Sequence, residues 1–261
     1  KRTPFVGKMI FGVLTWDAVN RFIFRGDILD DGVCVVGGVG PGNGTAIGAR
    51  FAADGYRVAL CARNEMRLNE IAKKIKGSSA FSYDVRNTEA APEVFAQIRQ
   101  QLGPVNVLVY NAGAGAFANI DDATLESFQD AWEINCRGLF CTVKEVLPDM
   151  RAAGIGHIVI IGATASIKGG ANFVPFASAK AGQRGLAQSL ARYLGPEKIH
   201  VSYVILDGVV NLQRTRQQMP GKPDEFFMEP SQIAESVYFL TQQPPQAWTF
   251  ELDLRPFGEK G

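Results

Sequence analysis

The chain has 261 residues, of which 46% are apolar, and its 27 Lys plus Arg nearly balance 26 Asp plus Glu, for a net charge of +1. That balance leaves no long basic run to neutralise phosphates, so nucleic-acid binding has no compositional support, and 17 Phe with a large aliphatic share argue against disorder. Cys34, Cys61, Cys136 and Cys141 lack metal-ligand spacing and His157 and His200 are far apart in the chain, so neither a metal site nor a disulfide framework is expected. A reducing compartment follows, either cytoplasm or an organelle interior, with no apolar run long enough to span a membrane.

Residues 1–31 form an extension crowded with Phe5, Met9, Ile10, Phe11, Trp16, Phe22 and Phe24. Two readings stay open for it: a helix packed on the protein's own surface, or an arm that docks on a partner or a membrane surface. From residue 32 to 261 a single rhythm is expected. Short β-branched runs at Val33–Val36, Arg57–Cys61, Asn106–Tyr110, His157–Ile161 and His200–Leu206 are separated by longer helical patterns. Such alternation predicts an α/β, doubly wound parallel sheet of Rossmann type, with ligands bound at the carboxyl ends of the strands. A helix over 231–240 and a last strand at Trp248–Leu252 close the pattern.

The first strand runs into Gly37-Gly38-Val39-Gly40-Pro41-Gly42-Asn43-Gly44, followed by a helical segment. Glycines are needed there for a tight turn, for close approach of backbone to a pyrophosphate, and for open N–H groups at a helix N-terminus. Gly38, Gly40, Gly42 and Gly44 are therefore candidate cofactor-binding residues; the competing reading is a purely structural turn. The second strand ends without the carboxylate that accepts from an adenosine ribose 2′-hydroxyl, and Arg63 follows instead. A guanidinium there suits a 2′-phosphate, so NADP(H) is expected over NAD(H), with Glu65 as a competing partner for that Arg. Asp84 either accepts from an adenine amino group or caps a turn.

With the glycine loop, Asn111-Ala112-Gly113, Asn135, Lys180, Gly162–Ser166 and the tail Ala247–Pro256, the chain resembles the short-chain dehydrogenase/reductase family over about residues 32–254. The resemblance implies that Asn111, Ala112 and Gly113 steady the sheet beside the cofactor, that Asn135 holds a proton-relay water, and that Lys180 binds the nicotinamide ribose. It implies oxidoreductase chemistry and self-association as well. Four departures touch the reacting end. Phe176 stands four residues before Lys180, where the family carries its catalytic tyrosine; the alternative spacing of the related enoyl reductases lands on Phe173. Ala163 takes the place of the substrate-orienting Ser, leaving Thr164 or Ser166 as substitutes or as turn-stabilising hydroxyls. Asp207-Gly208 replaces Pro-Gly, and Leu212 replaces the Thr that touches the nicotinamide carboxamide, ahead of a lid over residues 213–229.

Two functions follow as expectations. One is an NADP(H)-dependent oxidoreductase of weak or altered activity, with Asn135, Lys180, Thr164 and Phe176 at the reacting end. The other is a catalytically inactive scaffold or accessory subunit, joined to a homo-oligomer or a larger assembly, such as one inside an organelle, through residues 1–31.

Overall fold

The computed structural model describes residues 32–258, so the extension over 1–31 lies outside the described residues. Each strand of the core is followed by a helix: β1 (Val33–Gly37), α1 (Asn43–Ala53), β2 (Arg57–Ala62), α2 (Glu65–Ala72), β3 (Ser78–Ser82), α3 (Ala91–Leu102) and β4 (Val105–Tyr110). There follow α4 (Leu125–Trp132), a π-turn at Glu133–Arg137, α5 (Gly138–Ala153), β5 (Gly156–Ile161), α6 (Val174–Leu194) and β6 (Ile199–Leu206). The chain ends with β7 (Val209–Val210), α7 (Gln213–Gln218), β8 (Phe227–Met228), α8 (Pro230–Thr241) and β9 (Glu251–Leu254).

Seven strands form one parallel sheet in the order β3-β2-β1-β4-β5-β6-β9, and β7 pairs with β8 beside it. The doubly wound expectation is met. Strand order reverses between β1 and β4, which opens a crevice at their carboxyl ends, where Gly37 and Tyr110 run into the glycine loop and Asn111. The β-branched runs are explained by burial on both faces. Val33 and Val35 of β1 pack with Phe95, Leu139 and Val146 on one side, while Cys34 and Val36 pack with Ile47, Phe51 and Val237 on the other. Phe51 is fully buried, so its truncation to Ala should cost about 3–5 kcal/mol.

The last strand begins later than the sequence predicts. Trp248 stacks on the His200 ring at 4.7 Å, and the Thr249 carbonyl accepts from His200 Nε2 (2.9 Å) and Ser202 Oγ (2.8 Å). Those side-chain bonds occupy the backbone that would have paired, and the ladder with β6 starts only at Tyr203 opposite Glu251. The two histidines, distant in the chain, are cross-strand neighbours on β5 and β6 with ring centroids 5.9 Å apart.

Burial, together with the His200 ring, drives the His157 pKa from 6.5 down to about 3, and burial lowers that of His200, against the opposing bond to Thr249. His157 thus stays neutral in the fold and His200 is held towards its neutral form, while the unfolded chain takes up their protons below about 6.5. Stability should be level for this pair above that pH and fall as pH drops from 6.5 towards 3. Urea midpoints measured across this window should decline in the wild type and decline less in His157→Phe; an unchanged slope would remove the pair as the cause.

Candidate functional site

The glycine loop is shaped by steric need at some positions and left open at others. Gly38 has φ +82°, and a Cβ there would lie 2.4 Å from the Ala112 Cα and backbone N. The N–H groups of Gly38 and Val39 both donate to the Cys61 carbonyl, at 2.9 and 3.0 Å, tying the loop to the end of β2. Asn111 Nδ2 donates to the Gly38 carbonyl at 2.8 Å, which ties it to the end of β4. At Gly44 a Cβ would meet Val39 Cα at 2.7 Å, and at Gly42 it would meet Leu212 Cδ2 at 2.4 Å. A Cβ added at Gly40 would meet nothing within 4 Å. The chain's own packing therefore does not require glycine at 40, although close approach of a ligand would.

The loop leads into α1, whose N-cap Gly42 supplies no side-chain cap, so the positive end of the helix faces the crevice without an internal acceptor from that residue. A cavity of about 410 Å³ opens there. Of the residues expected from the sequence, Gly38, Gly40, Gly42, Gly44, Arg63, Asp84, Asn111, Ala112 and Gly113 all line it. Asn43 lines it too, and its Oδ1 is buried with no hydrogen-bond partner among the described residues. Such a group calls for a partner from outside the chain.

Asn64 and Arg67 complete the far end of this cavity. Asn64 caps α2 by accepting the Arg67 N–H at 2.9 Å, which places Arg67 in the first turn, and both Arg63 and Arg67 line the cavity. A sequence signal for the pair existed: an Asn cap followed by a basic residue in the first turn of a helix, where the macrodipole offers a cation no reason to be. Asp84 lines the cavity and also bonds within its own turn, so both of its readings stay open. It accepts the Arg86 backbone N–H at 3.0 Å and the Arg86 guanidinium at 2.8 Å. Partial burial raises its pKa, but the Arg86 bonds and charge, helped by Arg63, outweigh this and hold the carboxyl below its usual value.

At the other end of the crevice Lys180 and Gln183 bond within the chain, while the Asn135 Oδ1 does not. Lys180 is buried, and its Nζ donates to the Ile161 carbonyl at 2.9 Å and to Gln183 Oε1 at 3.0 Å. Burial pulls its pKa from 10.5 to about 7, with the nearby Cys136 opposing. Gln183 Nε2 donates in turn to the Asn135 carbonyl at 2.9 Å, and Tyr203 donates to Gln183 Oε1 at 3.3 Å. Gln183 escaped notice in the sequence, although three residues after Lys180 on one helix places both on the same face. Asn135 sits in the π-turn; its Nδ2 donates to the Ala131 carbonyl at 2.8 Å, and its buried Oδ1 has no partner among the described residues. A Cβ on Gly113 would lie 3.5 Å from that oxygen and 3.6 Å from Lys180 Nζ, so the glycine leaves a shared space between them.

Thr164 Oγ1 donates to Asp207 Oδ1 at 2.6 Å, and Asp207 also pairs with Arg255 at 2.9 Å. Ser166 donates to the Ala163 carbonyl at 2.7 Å, the turn-stabilising arrangement. Phe176 lies with its ring 6.0 Å from Lys180 Nζ and forms edge contacts with Phe117, which also packs on Phe173. Gly208 does not line the cavity; a Cβ there would strike Pro256 Cδ at 2.6 Å, so its glycine is required by the C-terminal tail.

The family model described as short chain dehydrogenase matches residues 32–220. The chain belongs to the short-chain dehydrogenase/reductase family. An uncharacterized oxidoreductase of Staphylococcus saprophyticus is 27% identical over 233 residues, covering 87% of this chain and 98% of the relative. Among solved structures, a short-chain dehydrogenase from Rhodopseudomonas palustris is 34% identical with a TM-score of 0.75, covering 87% of this chain and 99% of that one. An alcohol dehydrogenase from the archaeon Thermococcus sibiricus, complexed with 5-hydroxy-NADP, is 27% identical with a TM-score of 0.78, covering 88% of this chain and 98% of that one. Among the described residues no helix is long and apolar enough to cross a membrane.

Proposed function

We propose that this short-chain dehydrogenase/reductase binds NADP(H) and that its proton-transfer chemistry is weak, because Phe176 occupies the position from which the family's tyrosine acts. The carrying observation is the pairing of an apolar ring at 176 with a Lys180 whose hydrogen bonds go to Ile161 and Gln183. The residues of the adenosine and phosphate half fit a nucleotide: Gly40 leaves room for close approach, and Arg63 and Arg67 both line the cavity. When bound, a nicotinamide supplies or accepts a hydride. The protein's own task is then to move a proton at the substrate oxygen, a step worth about 10²–10⁴ in rate when a positioned acid performs it. With Thr164 committed to Asp207 and Ser166 to its own turn, Lys180 is the remaining acid near that end. Its pKa of about 7 is suited to the role, but the buried Nζ reaches outward only through the space beside Gly113 and Asn135.

Self-association has an observation of its own. Leu125, Phe128 and Trp132 stand at helical spacing along α4, and all three are exposed, as is Phe140 on α5. An apolar stripe of this kind suits a second copy of the chain, and the family's homo-oligomeric habit fits it.

The NADP(H) reading is tested at Arg63. Loss of a charge-assisted contact to a 2′-phosphate is worth about 1.5–3 kcal/mol, so Arg63→Ala should weaken NADPH by at least about tenfold while leaving NADH within about twofold in a calorimetric titration. Equal losses for the two would refute the cofactor choice. The same preparations should show only trace oxidation of NADPH with a panel of ketones, aldehydes and enoyl thioesters.

A further inference from the structure

We infer that Leu212 divides the crevice, so that the adenosine 2′-phosphate and diphosphate half of the nucleotide is the ligand this protein grips, and the nicotinamide arm adds little to its affinity. The inference rests on the NADP(H) reading above and narrows it.

Gly42 lies at the N-terminus of α1, where the phosphates of a nucleotide come to rest. The Leu212 side chain reaches across from the opposite wall and packs against that residue: a Cβ at 42 would lie 2.4 Å from Leu212 Cδ2 and within 4 Å of its Cγ and Cδ1. The two walls of the crevice therefore touch at this point. A nicotinamide arm continuing past the phosphates must displace the leucine and forfeit its apolar contact, whereas the adenosine half meets no such barrier.

The leucine is not on a loose tip. Its backbone N–H donates to Thr215 Oγ1 at 3.0 Å, and the Thr215 hydroxyl donates to the Val210 carbonyl at 2.6 Å. Its neighbour Asn211 donates its N–H to the Met228 carbonyl at 2.8 Å and accepts from Arg216 Nε at 2.7 Å. Arg216 in turn pairs with Asp224 at 2.6 Å. These bonds brace the segment at both ends of the β7–β8 pair.

Phosphate-loop residues, Arg63 and Arg67 line the cavity together with Val210 and Leu212; it extends to Gly113, Ala114 and Ile134 beside the reacting end, but Thr164, Phe176 and Lys180 do not line it. Beyond the leucine, a nicotinamide ribose would find Lys180 already bonded to Ile161 and Gln183, and a carboxamide would find Leu212 in place of a hydroxyl. Displacing the leucine thus returns few hydrogen bonds in exchange, and affinity gained by extra ligand atoms is offset by the contacts and ordering they cost.

The test compares NADPH with adenosine 2′,5′-bisphosphate by calorimetry on the full chain. In the wild type the two dissociation constants should agree within about tenfold, and bound NADPH should keep a water-like nicotinamide emission. Leu212→Thr should tighten NADPH by about tenfold or more, change the bisphosphate by less than about twofold, and shift the nicotinamide emission to the blue; Leu212→Ala serves the same comparison if the threonine disturbs α7. NADPH binding more than about tenfold tighter than the bisphosphate in the wild type, or a ratio unmoved by both variants, would overturn the division by Leu212 while leaving the NADP(H) reading in place. Failure of both ligands to bind would instead remove the NADP(H) reading, and this inference with it.

Discussion

The double variant Phe176→Tyr, Leu212→Thr is expected to oxidise NADPH with simple ketones or aldehydes at least about a hundredfold faster than the wild type. The magnitude comes from the missing step: a positioned acid contributes about 10²–10⁴ in rate, and the lower end is the safer expectation for a site not otherwise rebuilt. A hydroxyl on the ring at 176 would stand beside an ammonium, since the ring centre is 6.0 Å from Lys180 Nζ. A nearby cation favours the ionised phenol and brings its pKa towards the working range. The same phenolate would favour the protonated lysine, opposing the burial that now holds Lys180 near 7.

Each single change should achieve less. Phe176→Tyr alone restores an acid, yet Leu212 still rests on Gly42 and hinders the arm that must be seated first; Leu212→Thr alone seats the arm with no acid to follow. Groups that act as a unit are strongly non-additive, so the double variant should exceed the product of the single gains. A folded double variant with turnover no higher than wild type would show that the proton donor is not the missing element and would favour the accessory-subunit reading.

The second large effect separates two glycines of one loop. Gly38→Ala should destabilise the fold by about 3 kcal/mol, combining a left-handed backbone that costs an L-residue roughly 1–2 kcal/mol with overpacking of about 1–3 kcal/mol. The cause is visible in the geometry: φ is +82° and the added methyl would sit 2.4 Å from backbone atoms of Ala112, which cannot swing aside as a side chain could. For a domain of this size the melting temperature should fall by roughly 6–12 °C. Gly40→Ala adds its methyl to open space and should stay within about 0.5 kcal/mol of wild type in stability, while weakening NADPH and adenosine 2′,5′-bisphosphate alike. A Gly40→Ala protein that binds both ligands as well as wild type would mean the nucleotide does not approach the loop at that residue.

The alternation of strands and helices, the glycine loop and the order of the motifs were legible in the amino-acid sequence, because each follows from local periodicity or from a backbone conformation that few residues tolerate. Runs such as Val33–Val36 advertise a strand buried on both faces, and the site residues of the adenosine half, from Gly38 to Gly113, come together as the strand order requires. The change at the reacting end was legible too, since Phe176 precedes Lys180 on a single helix. Asp84 keeps both of its readings, since it bonds Arg86 and also lines the cavity, and the onset of β9 was misplaced because His200 and Ser202 claim the Thr249 carbonyl from another strand.

Contacts between segments far apart in the chain belong to the tertiary structure alone. Gln183 against Asn135, His157 against His200 and Leu212 upon Gly42 each depend on register or on the packing of separate elements. Periodicity tells which face of an element is buried, but not which atom of a distant residue arrives there, because that is settled only when the layers close at the density of a packed interior.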